Sequence, residues 1–294
     1  MKTTKRAGRV GILTFINYVL VAAAAAICVI PMLLVAAISV TSDRALRLHG
    51  YQLIPSEFSA EAYSMILKPN SSLFRSYGIS IVLTLCGIIV ATSITAMAAY
   101  TLTNKNVKYR SFLALFFFIP MVFSAGLVPW YIMCRNLGLT NNFLSLLVPS
   151  LVFSPFNMFL CRNFMRGIPD SLMESAKLDG AQDFHIAFKI YFPLSTPVVA
   201  TVALFYGIAY WNDWFNAIML VNNEKLFPLQ YMLMKVQSEI ESLRHLQPGI
   251  PVKNLPGESM KMATAVLTIG PIIFLYPYLQ KYFIKGLVIG GVKG

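Results

Sequence analysis

The sequence predicts an all-α integral membrane protein with six transmembrane helices and both termini in the cytoplasm. Three observations carry that expectation: a shortage of charge, a series of long uncharged runs, and the placement of Lys and Arg between them. Of 294 residues, 57% are apolar and 12% charged, with 24 Lys+Arg against 12 Asp+Glu, a formal net charge of +12 and a mean hydropathy of +0.65. A soluble domain carries about 25% charged residues, so this chain lacks the residues for an ordinary wetted surface, and disorder is excluded by the same composition. A basic balance raises nucleic acid as a partner, but here the basic residues punctuate apolar blocks and form no continuous surface.

The spans follow in order. Val10–Ser42, Ser76–Asn104, Ser111–Cys134, Asn136–Cys161, Ile190–Asn212 and Met262–Gln280 contain no Asp, Glu, Lys, Arg or His. Each is at or near the length of about 20 residues that crosses a bilayer as a helix. Only helices and closed barrels satisfy their backbone in lipid, and these runs lack a barrel's alternation. The expected spans are about 12–40, 76–103, 111–134, 143–164, 194–221 and 262–282, within one domain over 1–294. The first run is too long for a signal-peptide core and lacks a convincing cleavage site, so it reads as an uncleaved anchor.

Six spans put both termini on one side, and cytoplasmic termini place 14 basic and 4 acidic residues inside against 10 and 8 outside. The excess of Lys and Arg belongs on the cytoplasmic face. Residues 222–261 form the longer outer loop, with an amphipathic stretch over Leu229–Leu246 followed by a Pro/Gly-rich turn region. Prolines within the runs, among them Pro120, Pro149 and Pro155, free backbone groups that lipid cannot satisfy. Such helices must pack against others. Cys28, Cys86, Cys134 and Cys161 and the scattered His49, His185 and His245 form no metal-binding or catalytic pattern.

The inner segment 169–192 carries the most chemistry. Ser171 with Glu174 reads as a capping box, and Gly180 supplies a left-handed stop. A second short helix follows with Phe184, Ala187, Phe188 and Tyr191 on one face, up to Pro193 at the start of the fifth span. The expected product is a helix-turn-helix elbow that presents Glu174 beside the small residues Ser175, Ala176 and Ala181. Small residues admit another protein's surface, and a carboxylate offers an arginine a bidentate partner.

Glu174-Ser175-Ala176, Gly180 after three further residues, Ile190 after nine more and Pro193 after another two resemble the EAA signature of binding-protein-dependent ABC importer permeases. Ser175 and Phe192 depart from the usual Ala and Leu but keep size class or apolarity. Trp211-Asn212-Asp213-Trp214 and the ending Lys285 to Gly294 resemble the carbohydrate branch, of the maltose second-permease (MalG) and LplC type. The resemblance implies a MetI-like, type I importer permease whose elbow is the coupling helix of a cytoplasmic ATPase. Glu174, Ser175, Ala176, Asp179, Gly180, Ala181, Ile190 and Pro193 would form that coupling site, with Glu174 pairing an ATPase arginine. The tail Gly290, Gly291, Val292, Lys293 and Gly294 would enter the ATPase dimer interface.

The same resemblance implies a second permease in a heterodimer, an ABC ATPase dimer, an extracellular or periplasmic solute-binding protein docking on 222–261, a carbohydrate substrate and surrounding lipid. Localisation would be the bacterial cell membrane, multi-pass. No GxxxxGK[ST] occurs in the chain, so ATP and Mg belong to the partner ATPase, and this chain is expected to bind no cofactor and catalyse no reaction. For the substrate pathway two readings of the fifth span stay open. Asp213 lies 20 residues beyond Pro193, roughly 30 Å along a helix, so Trp211 and Trp214 could anchor at the interface with Asp213 solvated. In the other reading Tyr210, Asn212 and Asn216 face the bundle and bond a passing sugar, with Asn157 a similar candidate. A non-sugar solute, or a secondary carrier, are the alternatives. No charged residue sits deep in a span, which weakens the carrier.

Overall fold

The computed structural model describes residues 5–67, 72–246, 257–270 and 273. The tail Gly290–Gly294, the Pro/Gly-rich region 247–256 and most of the expected last span lie outside the described residues. The chain divides into two compact units, Met1–Pro69 with Val236–Gly270, and Asn70–Lys235 with Pro271–Gly294. Among the described residues the secondary structure is helical apart from one isolated antiparallel bridge, Thr41 with Phe58.

In the first unit, α1 (Lys5–Ser39) is a single long helix that stays exposed from Thr14 through Leu33. Its end is fixed by Ser39, whose hydroxyl meets the Tyr63 hydroxyl at 2.8 Å. Next come α2 (Asp43–His49) and α3 (Glu61–Ile66). Ser42 caps α2 by accepting from the Ala45 N–H at 3.1 Å and donates to Glu57 at 2.7 Å. A cleft of about 940 Å³ opens among Asp43, Arg44, Arg47, Glu57, Phe58 and Glu61, closed on one side by residues 257–260.

The second unit begins with α4 (Ser72–Thr103), whose buried face repeats small residues every four positions at Gly87, Ala91, Thr95 and Ala99. Four-residue spacing keeps these on one stripe, and small stripes let helix backbones approach closely. The expected third span is two helices, α5 (Arg110–Val122) and α6 (Leu127–Asn136), bent by 119° at Phe123–Gly126. Gly126 has φ +84°, a conformation that an uncharged run does not announce. The expected fourth span is likewise broken into α7 (Leu144–Leu147) and α8 (Pro155–Met165), with Ser154 accepting from the Asn157 N–H as the cap of α8. After α9 (Asp170–Leu178), α10 (Asp183–Ile186), a π turn over Ala187–Tyr191 and α11 (Phe192–Leu194), the chain bends by 84° into α12 (Thr196–Trp211). The expected fifth span thus ends at Trp211, and α13 (Phe215–Leu220) follows a break. Last come α14 (Leu229–Leu246), which belongs to the second unit as far as Lys235 and to the first from Val236, and, in the first unit, α15 over 258–270.

Among the described residues two helices, α1 over Thr14–Ser39 and α4, are each long and apolar enough to cross a membrane. The two bent pairs, α5 with α6 and α10–α11 with α12, reach that measure together. The core of the second unit lies where α4 packs against α8 and α12, around Leu83, Met158, Cys161, Val202, Tyr206 and Tyr210.

Asn141 pins the far end of this unit. Its Oδ1 accepts from the Asn222 and Asn223 N–H groups at 3.2 and 2.8 Å, and its own N–H donates to the Leu220 carbonyl at 2.7 Å. Its φ of +56° is one that Asn tolerates better than most residues. We expect Asn141→Ala to cost about 2–4 kcal/mol, from two lost hydrogen bonds and a left-handed alanine. Asn141→Gly relieves only the backbone part, so its thermal midpoint in detergent should fall between the other two. Equal midpoints for all three proteins would rule the pin out.

Candidate functional site

The elbow expected from 169–192 is present as two legs, α9 and the α10–α11 segment. Its turn is closed by the backbone: the Ala181 N–H donates to the Ala176 carbonyl at 2.9 Å and the Gly180 N–H to Lys177 at 3.0 Å. This is the paired C-terminal closure that needs a left-handed residue between its two donors. Gly180, at φ +79°, supplies it. An ion pair at 3.1 Å from Lys177 to Asp183 then ties the first leg to the second.

Two local expectations are corrected. Ser171 is not a cap: α9 starts at Asp170 after Pro169, with no side-chain cap. Pro169, with its fixed φ, sets the entry, and Asp170 places a carboxylate in the first turn, where the helix dipole favours it. The second leg does not show one aromatic face either. Ala187 and Tyr191 are buried, whereas Phe184 and Phe188 are exposed and stack at 4.5 Å, with Phe192 at 4.8 Å beyond. The π turn over Ala187–Tyr191 breaks the 3.6-residue period on which a single face rests.

The motif residues divide by exposure. Glu174, Ser175, Asp179, Gly180 and Pro193 are exposed, while Ala176, Ala181 and Ile190 are half-buried and pack on the core with buried Met173 and Ile186. Glu174 carries no ion pair among the described residues. Leu178, one turn further along α9, is 89% exposed, and Phe184, on the second leg, is 69% exposed. An uncompensated carboxylate can supply one strong charged bond inside an apolar contact.

At the root of the elbow, Lys105 pairs with Asp170. Tyr191 meets Tyr100 of α4 edge-on at 5.0 Å, and the Arg162 Nε donates to the Leu102 carbonyl at 3.3 Å. Burial pushes the Tyr191 hydroxyl above its usual range, with Asp170 adding to the shift and Lys105 opposing it. None of these root contacts is visible from motif spacing, because they join residues about 60 to 90 positions apart.

The second constellation is the break after α12. Asn212 and Trp214 are exposed, Asp213 is half-buried, and Trp211 is buried and so is not an interfacial anchor within this chain. Asp213 Oδ1 accepts from the Phe215 and Asn216 N–H groups at 3.2 and 3.3 Å, which starts α13. The Tyr210 hydroxyl donates to the Leu147 carbonyl at 2.8 Å and the Asn216 side-chain amide to the Pro149 carbonyl at 2.9 Å. Both bonds serve carbonyls in the stretch where the fourth run leaves the helix. Tyr206 does related work, meeting Thr95 at 2.6 Å and accepting from the Ser154 N–H at 2.9 Å. Among the described residues, Asp213 Oδ2 and Asn216 Oδ1 are buried without a hydrogen-bond partner. Asn157, 6% exposed, lies on α8 in the same core. Tyr206 and Thr95 escaped the sequence reading. The four-residue spacing of small residues on α4 was the available signal for that packing.

A membrane chain of bent helices that exposes such an elbow defines a class, the permease subunits of binding-protein-dependent importers. Residues 7–289 match the family described as binding-protein-dependent transport system inner membrane component, and the chain belongs to that family. It is 35% identical to protein LplC of Bacillus subtilis over 298 residues, covering 100% of this chain and 98% of the relative. It is 34% identical to the polygalacturonan/rhamnogalacturonan transport system permease protein YtcP of the same organism, over 92% of this chain and 94% of that one. Among solved structures, a bacterial ABC transporter involved in the import of the acidic polysaccharide alginate has a chain that aligns at a TM-score of 0.83. The identity there is 29%, over 96% of this chain and all of the other.

Proposed function

We propose that this chain is one of two permease subunits in an ATP-driven importer of the bacterial cytoplasmic membrane, carrying a sugar or oligosaccharide delivered by a solute-binding protein. The observation that carries the reading is the elbow, closed by its own hydrogen bonds and presenting an exposed Glu174 that has no ion pair among the described residues. In this reading six spans cross the membrane with both termini inside. The ATPase dimer receives Glu174 and the tail from Gly290 to Gly294, and it alone binds ATP and Mg. The binding protein meets the outer loop 222–261. A saccharide substrate is supported by relatives named for polygalacturonan, rhamnogalacturonan and arabinooligosaccharide transport. The buried acceptors Asp213 Oδ2 and Asn216 Oδ1, near Tyr210 and Trp211, suit hydroxyl donors.

The test is reconstitution in liposomes with a second permease, an ATPase and a solute-binding protein from the same organism. Labelled trigalacturonate, maltotriose and glutamine serve as probes. ATP-dependent uptake of a saccharide and not of glutamine is expected. Uptake of glutamine alone would overturn the sugar reading, and uptake driven by a proton gradient without ATP would overturn the importer.

A further inference from the structure

We propose that Tyr100 and Lys105 are positioning residues that fasten the elbow to the inner end of α4, and that Arg162 fastens the end of α8, from which the elbow leads off, to the same point, so that elbow and helix move as one body. The inference rests on the coupling role proposed for the elbow. It names a route by which displacement of the elbow reaches the packed helices.

Three contacts of different chemistry converge on one end of α4. The Tyr100 ring abuts Tyr191, in the second leg of the elbow, at 5.0 Å and 68°. The Leu102 carbonyl, one of the last four of the helix and so without an intrahelical donor, accepts from Arg162 at 3.3 Å. A cation there also complements the negative end of the helix dipole. Just beyond the helix, Lys105 pairs with Asp170 in the first turn of α9. An exposed ion pair alone is a weak fastening, and this one is exposed on both sides. Tyr100 and Tyr191 are 7% and 2% exposed, so their contact is made where water does not compete. Together the three contacts hold both legs of the elbow and the end of α8 to one point. The helix they hold is the one whose Gly87 and Thr95 carry Tyr210 and Tyr206 of α12. Displacement of the elbow therefore reaches α4 through these contacts, beside the covalent path by which α11 runs on into α12. The Tyr100 hydroxyl is buried without a hydrogen-bond partner among the described residues, so its ring contact, not its polar group, holds this joint.

The test is a reversible lock in the assembled importer, K105C/D170C bridged by a short bis-methanethiosulfonate, because the length of a lysine side chain separates the two backbones by more than a direct disulfide spans; ATP hydrolysis is measured with and without the binding protein. Movement as one body predicts that the bridge forms in membranes and that bridged and reduced proteins show the same stimulation within twofold. A loss of tenfold or more on bridging, restored by reduction, means that elbow and α4 slide past each other and overturns the proposal. So does failure of the bridge to form. Y100A and R162A should each lower the stimulation ratio at least threefold with membrane levels unchanged, and Y100F should retain it. Wild-type stimulation in both single variants would also overturn the proposal. An assembly whose wild type shows no response to the binding protein defeats the importer reading instead, and the yield of the bridge still scores the attachment.

Discussion

Glu174→Arg should abolish the stimulation of ATP hydrolysis by the binding protein, by tenfold or more, while the chain still reaches the membrane in normal amount. Glu174 is exposed and bears no ion pair among the described residues, so reversing its charge removes nothing that holds the elbow. Surface substitutions of that kind move stability by about 0.5 kcal/mol or less. In the proposed coupling role, an arginine of the ATPase facing the reversed charge inside the contact would lose its partner and gain a repulsion. Breaking one side of a buried charged pair typically costs about 2–5 kcal/mol, a factor of roughly 30 to several thousand. Glu174→Gln, which keeps the shape and one acceptor, should fall between. Full stimulation in assembled Glu174→Arg importers, measured as phosphate release with and without binding protein, would remove the coupling role.

Gly87→Leu carries the largest expected effect on the fold. A Cβ on Gly87 would run into the ring of Tyr210, which is fully buried and tethered through its hydroxyl to the Leu147 carbonyl. The ring has no vacant direction, so the added side chain must part α4 from α12 or expel Tyr210 from its bond. Overpacking a dense core costs about 1–3 kcal/mol, with a lost buried hydrogen bond adding about 1–3 kcal/mol. We expect a lower thermal midpoint in detergent and reduced membrane levels, with Gly87→Ala milder in the same direction. The pair Gly87→Leu with Tyr210→Ala should recover part of the loss, because the second change vacates the volume that the first one fills. Additive losses in the double variant would mean that the two residues do not share that space.

How much could be read beforehand differs from element to element. The uncharged runs located α1 and α4 because a single straight helix needs only apolar length. The runs 111–134 and 194–221 did not show where they break, and 143–164 showed it only through Pro149 and Pro155, which bracket the gap between α7 and α8. A break at Phe123–Gly126 or at Asn212–Trp214 exchanges helical hydrogen bonds for side-chain ones without changing hydropathy. The elbow was legible because its geometry is local: Gly180 closes a turn through residues five or fewer positions apart. The contacts of Tyr210 and Asn216 within this chain were not. Their partners lie 63 and 67 positions away, and nothing local in the sequence marks which carbonyl a polar side chain will reach. Gly87, Ala91, Thr95 and Ala99 stood in plain view as a four-residue period, and only the long-range partner was missing.

The closure of the elbow by its own backbone bears on how the importer is put together. Because Gly180, the Ala181–Ala176 bond and the Lys177–Asp183 pair lie within this chain, the shape of the elbow does not depend on a partner. Segments that fold on contact spend part of their binding free energy on becoming ordered. In the coupling role proposed above, this one would meet an ATPase already set, so association would be a rigid docking whose speed is governed by orientation and charge, and loss of the ATPase would leave the elbow ready to receive another.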